Sequence, residues 1–208
     1  MAKWPAALRK SARAVRLAGL GAVATLWIAA PASAELAYST SYRDHPVGGS
    51  TPATVWHSMN AHPIIDPDDG PAYANLTHAH DVSVKTATIG GICRVTDVKF
   101  TWRFVLTLPK AADYDRMSPA NRALWTSFRA NLKRHEEMHR TIFVGCGKEF
   151  VPAAEAMTGP AGCVGVESKV RDFIDRRYTA CMAKQREFEK ADRGHITASP
   201  FLRAAGAD

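Results

Sequence analysis

The sequence predicts an α+β fold in which a small antiparallel sheet packs against a long antiparallel helical hairpin. Three observations predict it. Val95, Val98, Phe100, Trp102, Phe104, Leu106 and Leu108 nearly alternate with polar residues, as along a half-buried strand. Leu124, Phe128, Leu132, His135, His139, Ile142, Phe143, Cys146 and Phe150 recur at helical spacing. Beyond Thr158-Gly159-Pro160-Ala161-Gly162, a second stripe of the same period runs through Val166, Val170, Phe173, Ile174, Tyr178, Cys181, Met182 and Phe188.

Taken in order, Leu36 to Arg43 alternates weakly and suits an edge strand, and Pro46, Gly48, Gly49 and Pro52 suit a loop. A short helix is expected over Val55 to Met59, followed by a surface loop from Ala61 to Pro71. Ala72 to Lys85 and Cys93 to Leu108 carry strand-forming residues, with Ile89-Gly90-Gly91 as the tight connection between them. Pro109 is expected to stop the second strand. Ser118-Pro119 supplies an N-cap and a proline in the first helical turn. Pro152 should end or kink that helix near Phe150, and the second helix should fray at Gly194.

The first 34 residues form a different kind of segment. A cationic start through Arg16, an apolar run from Leu17 to Ala30 and Ala32-Ser33-Ala34 have the three parts of a cleavable secretory signal. The run of about 14 apolar residues is shorter than the roughly 20 that a spanning helix needs. The reading is therefore a signal peptide over 1–34 and one domain over 35–208, mostly β over 35–109 and mostly α over 118–192, with a periplasmic or secreted location and no stable membrane span after cleavage.

Charge narrows the partners. The formal charge is +7, but removing Lys3, Arg9, Lys10, Arg13 and Arg16 from the 27 basic residues leaves 22 against 20 acidic ones. No basic cluster with interleaved aromatics remains, which argues against a nucleic-acid partner. Export also gives Cys93, Cys146, Cys163 and Cys181 a reading as two disulfides. Cys146 and Cys181 lie at similar distances either side of the Gly-Pro turn, so antiparallel helices bring them together and leave Cys93 for Cys163.

The motif that carries chemistry is His135-Glu136-Glu137-Met138-His139, inside the first predicted helix. His135 and His139 stand one turn apart on one face, where two imidazoles can hold one zinc ion and Glu136 can reach its water. A catalytic zinc site takes a third protein ligand. Glu149 is about 20 Å along the helix from His135, too far to serve. Reflecting the motif through a turn near Ala161 points to the region of Gln185, with Glu187, Glu189, Asp192 and His195 as candidates. His195 is the preferred donor because it is an imidazole, with Glu189 next. His45, His57, His62, His78 and His80 read as solvated loop histidines, although His78-x-His80 could ligate if its strand faced the cleft. Tyr178, Arg177 and His80 are the candidates for a donor to the developing oxyanion.

These residues resemble the bacterial family catalogued as domain of unknown function 922. The resemblance rests on Tyr42 with Val47-x-Gly49 and the short helix after it, on Cys93 leading into strands that end at Leu108-Pro109, and on Trp125-x-x-Phe128 ahead of the His-Glu-x-x-His element. It continues in Cys163, some 25 residues before Phe188-Glu189. In the family pattern an aromatic and an acidic residue precede a histidine near the C-terminus. Phe188, Glu189 and His195 keep that order, with the histidine displaced and Arg193 in its usual place. The resemblance implies a secreted zinc-dependent protease.

The expected function is that of an exported zinc metallopeptidase holding one zinc ion on His135, His139 and His195. Glu136 acts as general base toward water and then as acid toward the leaving amine. The substrate is a peptide, a protein or peptidoglycan. The alternative is an exported metal-binding or structural cell-envelope module without catalytic activity.

Overall fold

The computed structural model describes residues 33–67 and 70–207. The expected signal segment lies outside them, except for Ser33 and Ala34, which open the first strand.

The architecture is mixed α/β. A sheet is built from β1 (Ser33–Val47), β4 (Asn75–Ile89), β5 (Ile92–Ala111) and the short β6 (Thr158–Pro160). Between β1 and β4 come α1 (Pro52–Ala61) and a two-stranded ribbon, β2 (Ile64–Asp66) and β3 (Gly70–Ala72). Two long helices follow, α2 (Pro119–Glu155) and α3 (Val166–Thr197), and then α4 (Pro200–Ala205).

β5 is the strand around which the others pair. β4 joins it antiparallel across the Gly90-Gly91 turn, where both glycines have φ above zero, as a two-residue hairpin of the primed type requires. Thr96 has no partner between the pairs Lys85–Asp97 and Thr86–Val95, so the strand carries a bulge there. The bulge shifts the phase by one residue. Cys93 and Val95 therefore face the same side as Val98, Phe100, Trp102, Phe104 and Leu106, and all seven are buried.

Several expectations are corrected. The sheet is not purely antiparallel, because β1 pairs with β5 in parallel, Leu36 opposite Phe100 and Tyr42 opposite Leu106. A parallel pair needs a long crossover, and α1, the ribbon and β4 supply it. The expected loop over 61–71 contains the ribbon strands β2 and β3. Pro109 does not stop β5. It lies beyond Thr107, the last residue paired with β4, where only β1 flanks the strand and a missing N–H is tolerated. Pro152 falls inside α2, whose last turn continues to Glu155. Gly194 does not fray α3, which runs on to Thr197 with Ile196 buried as an anchor.

Helix ends follow local chemistry. Ser118 accepts from the Asn121 N–H with Pro119 in the first turn, and Thr51 forms a capping box with Thr54 ahead of α1. Gly49, at φ +111°, has no room for a side chain, since a Cβ there would stand 2.6 Å from Thr54 Oγ1 and 2.8 Å from backbone. Two disulfides close the structure in the pairing expected from the spacing. Cys93–Cys163 ties β5 to the turn after β6, and Cys146–Cys181 joins α2 to α3.

The core is divided. One cluster gathers Phe100, Trp102 and Phe104 of β5 with Phe143 and Phe150 of α2 and Ile174 and Cys181 of α3. The other gathers Leu106 and Leu108 of β5 with Trp125, Phe128 and Leu132 of α2, Ile196 of α3 and Phe201 of α4. Leu76 packs against both. The stretch of α2 between Leu132 and Ile142 and the stretch of α3 between Met182 and Ile196 belong to neither cluster, and these two stretches carry the polar residues described next.

Candidate metal centre

Along α2 the apolar stripe is interrupted for two turns by His135, Glu136 and His139. Across from it, α3 presents Gln185, Glu189 and Asp192. Glu136, His135, Gln185 and Asp192 are 6 %, 8 %, 5 % and 9 % exposed, so a polar seam runs between the two apolar clusters. Buried polar groups are costly unless paired, and the pairing here is specific.

His135 donates its Nδ1 proton to Asp192 Oδ2 at 2.8 Å, since a carboxylate can only accept. Gln185 donates through Nε2 to the His139 carbonyl at 3.0 Å, which turns Gln185 Oε1 toward His139 Nδ1 at 2.6 Å. His139 therefore also carries its proton on Nδ1. With both rings in that tautomer, both Nε2 atoms are lone-pair acceptors. They stand 3.2 Å apart, and Glu189 Oε2 lies 2.9 Å from the first and 3.4 Å from the second. Three electron-pair donors thus converge on one point, an arrangement that repels itself unless a proton or a cation sits among them.

The dimensions fit a metal. Ligand distances of 2.0–2.2 Å in a tetrahedral zinc site give donor-to-donor edges of about 3.3–3.6 Å, and the observed edges of 2.9, 3.2 and 3.4 Å lie close to that range. The three donors can therefore hold a metal ion. Phe188 packs against both rings, its centroid 5.0 Å from that of His135 and 4.8 Å from that of His139.

The electrostatics follow from burial and neighbours. Burial pushes the Glu136 carboxyl up to about 7; the Glu189 and Asp66 carboxylates add to this, and His135 and His139 oppose it. Burial alone would depress His135, but its bonds to Glu189 and Asp192 outweigh that and raise it above its ordinary value. His135 first and His139 second hold Glu189 well below the usual carboxylate range. Burial would lift Asp192, yet its bonds with His135 and His195 leave it lowered.

Of the residues singled out in the sequence, His135, His139 and Glu136 share this seam. His195, the preferred third donor, does not join the donor triangle. Its Nδ1 bonds Asp192 Oδ1 at 2.8 Å on the outer side of α3, and its side chain is 73 % exposed. Glu189 takes the third position instead, and Glu187 points to solvent. Glu149 is engaged by Arg177 and Lys184. Of the three oxyanion-donor candidates, Arg177 is held by Glu149, the Tyr178 hydroxyl bonds His78 Nε2 at 2.9 Å, and His80 stacks on Phe100. His78 and His80 are thus half-buried beneath α3 rather than solvated. Gln185 and Asp192 hold the two rings through His139 Nδ1 and His135 Nδ1, a role not evident from the sequence, in which Asp192 is only a candidate ligand. The signal for both was their place on the stripe through Cys181 and Ile196, where polar residues need a partner.

Among the described residues no helix is long and apolar enough to cross a membrane, and the two disulfides fit a non-cytoplasmic setting. A family model described as a bacterial protein of unknown function (DUF922) matches residues 42–195, more than half of the chain and the whole of the polar seam. No curated protein and no solved structure matches significantly.

Proposed function

The chain belongs to the DUF922 family of bacterial proteins, and since that membership specifies no chemistry, we propose from the seam itself that it is an exported zinc-dependent peptidase. The observation that carries the reading is the convergence of His135 Nε2, His139 Nε2 and Glu189 Oε2 within 3.4 Å, with the opposite nitrogen of each ring tied to an acceptor. Two imidazoles and one carboxylate are the donor set of a catalytic zinc site with its fourth position open.

A zinc ion held by His135, His139 and Glu189 would supply Lewis acidity, making a water nucleophilic at neutral pH and polarising a carbonyl oxygen. The protein residues do the rest. Asp192 and Gln185 hold the two tautomers and ring orientations, as the partners behind metal-bound histidines commonly do. Phe188 restrains the rings from a third side. Glu136, in the same buried seam and poised near neutrality, accepts the proton of the attacking water and delivers it to the leaving amine. The substrate is a peptide, whether free, within a protein or within peptidoglycan.

A second reading, a metal-holding envelope module without turnover, is favoured by the burial of Glu136 at 6 % exposure. The test is metal analysis of the purified protein together with peptide cleavage by Glu136→Gln. The peptidase reading expects one zinc per chain, metal retained in Glu136→Gln and turnover abolished. Absence of stoichiometric metal, or cleavage by the variant at the parental rate, would overturn it. Metal without cleavage by the parent would favour the second reading.

A further inference from the structure

Glu189 uses its two oxygens differently. Oε2 faces the ring nitrogens of His135 and His139 at 2.9 and 3.4 Å, whereas Oε1 accepts from Arg193 Nε at 3.3 Å, one turn further along α3. Asp192 repeats the pattern, with Oδ2 on His135 and Oδ1 on His195. Each carboxylate is thus gripped from behind by a basic side chain, and the grip selects which oxygen points inward.

The distinction matters because a carboxylate can bind a metal through one oxygen or through both. If Glu189 swung so that both oxygens bound, the second would occupy the position a substrate or water needs. We infer that Arg193 is a positioning residue that holds Glu189 as a one-oxygen donor and so keeps the fourth coordination position open. This inference rests on the metal-site reading above. It does not require Arg193 to touch substrate. Its side chain is 65 % exposed, and an exposed pair four residues apart on a helix adds little to folding, so loss of Arg193 should act on the metal centre and leave the fold intact.

The test strips the full chain of metal and titrates the parent, Arg193→Ala and Arg193→Lys with zinc against a chromophoric chelator, and with cobalt(II) followed by visible absorption. Arg193→Ala should bind zinc about tenfold or more weakly, the scale for losing a partner behind a ligand. Its cobalt bands should shift from the parental positions, since a second Glu189 oxygen in the fourth position replaces water as a donor. Arg193→Lys, which keeps a cation without the planar fork, should fall between. The melting temperature of the metal-free variants should match the parent. The inference is overturned if Arg193→Ala has parental zinc affinity and the parental cobalt spectrum, or if its metal-free melting temperature falls in step with its affinity. If the parent itself binds neither metal, it is the metal-site reading that fails.

Discussion

Glu136 offers a measurement that depends on the seam without depending on turnover. Its carboxyl titrates at about 7 in the folded chain against an ordinary 4.5. Between those values the folded protein holds a proton that the unfolded chain has released. The stability due to the neutral carboxyl is therefore fully present below about pH 4.5 and is lost as the pH rises through about 7. At about 1.4 kcal/mol per pKa unit, the difference amounts to about 3 kcal/mol. Glu136→Gln removes the titration while keeping the shape. In the presence of a chelator, the variant should match the parent near pH 4 and exceed it by about 3 kcal/mol at pH 8, or roughly 6–12 °C in melting temperature for a chain of this length. Urea unfolding at the two pH values gives the same quantity free of temperature effects. His135, whose pKa is also raised, likewise contributes stability at low pH that is lost as the pH rises through its folded value, so the variant should flatten the pH profile without making it level. Parallel profiles for parent and variant would show that Glu136 is not held in a desolvated, carboxylate-rich site, and the reasoning would fail with them.

Three further outcomes follow from the same geometry. Zinc affinity should fall by about tenfold per pH unit once the pH drops below the raised pKa of His135, because the ring must lose its second proton to bind; a competition titration from pH 5 to 8 measures this. Asp192→Asn should weaken zinc binding about 10- to 100-fold, since its amide can present a donor where His135 Nδ1–H needs an acceptor; calorimetry reads the change. Replacing Cys146 and Cys181 together by Ser releases a cross-link with a sequence separation of 35 and should cost about 4 kcal/mol in the chain-entropy account, read from unfolding midpoints.

Much of this arrangement is legible in the sequence because it follows local periods. The strand pattern around Phe100, Trp102 and Phe104, the cap at Ser118-Pro119 and the stripe from Phe128 to Phe150 each report which side of an element is buried, and the structure buries those sides. Strand direction is not periodic information. The alternation in β1 is the same whether it pairs with β5 in parallel or antiparallel, and only the length of intervening chain bears on the choice. The three-residue strands β2 and β3 are too short to set a period at all.

The third donor shows where chemical preference and helix phase conflict. An imidazole looks the better zinc ligand, and His195 is the one available beyond the turn. Helix phase argues otherwise. Gln185 faces His139, and at 100° per residue Glu189 lies about 40° from Gln185, Asp192 about 20° to the other side and His195 about 80° away. The first two therefore share the buried seam, while His195 is turned outward and reaches only the back of Asp192. Phase could not be applied without knowing which residue of α3 lies across from His139, and that register is fixed by the Cys146–Cys181 cross-link. The cross-link sits seven residues past His139 on α2 and four before Gln185 on α3. The offsets are unequal, so a reflection through the turn finds the right turn of helix without finding the right side chain. Anchoring on the disulfide supplies the level: Glu189 stands eight residues past Cys181, between the seven and eleven that separate His139 and His135 from Cys146, whereas His195 stands fourteen past, and the inward oxygen of Glu189 completes the donor triangle that two ring nitrogens begin.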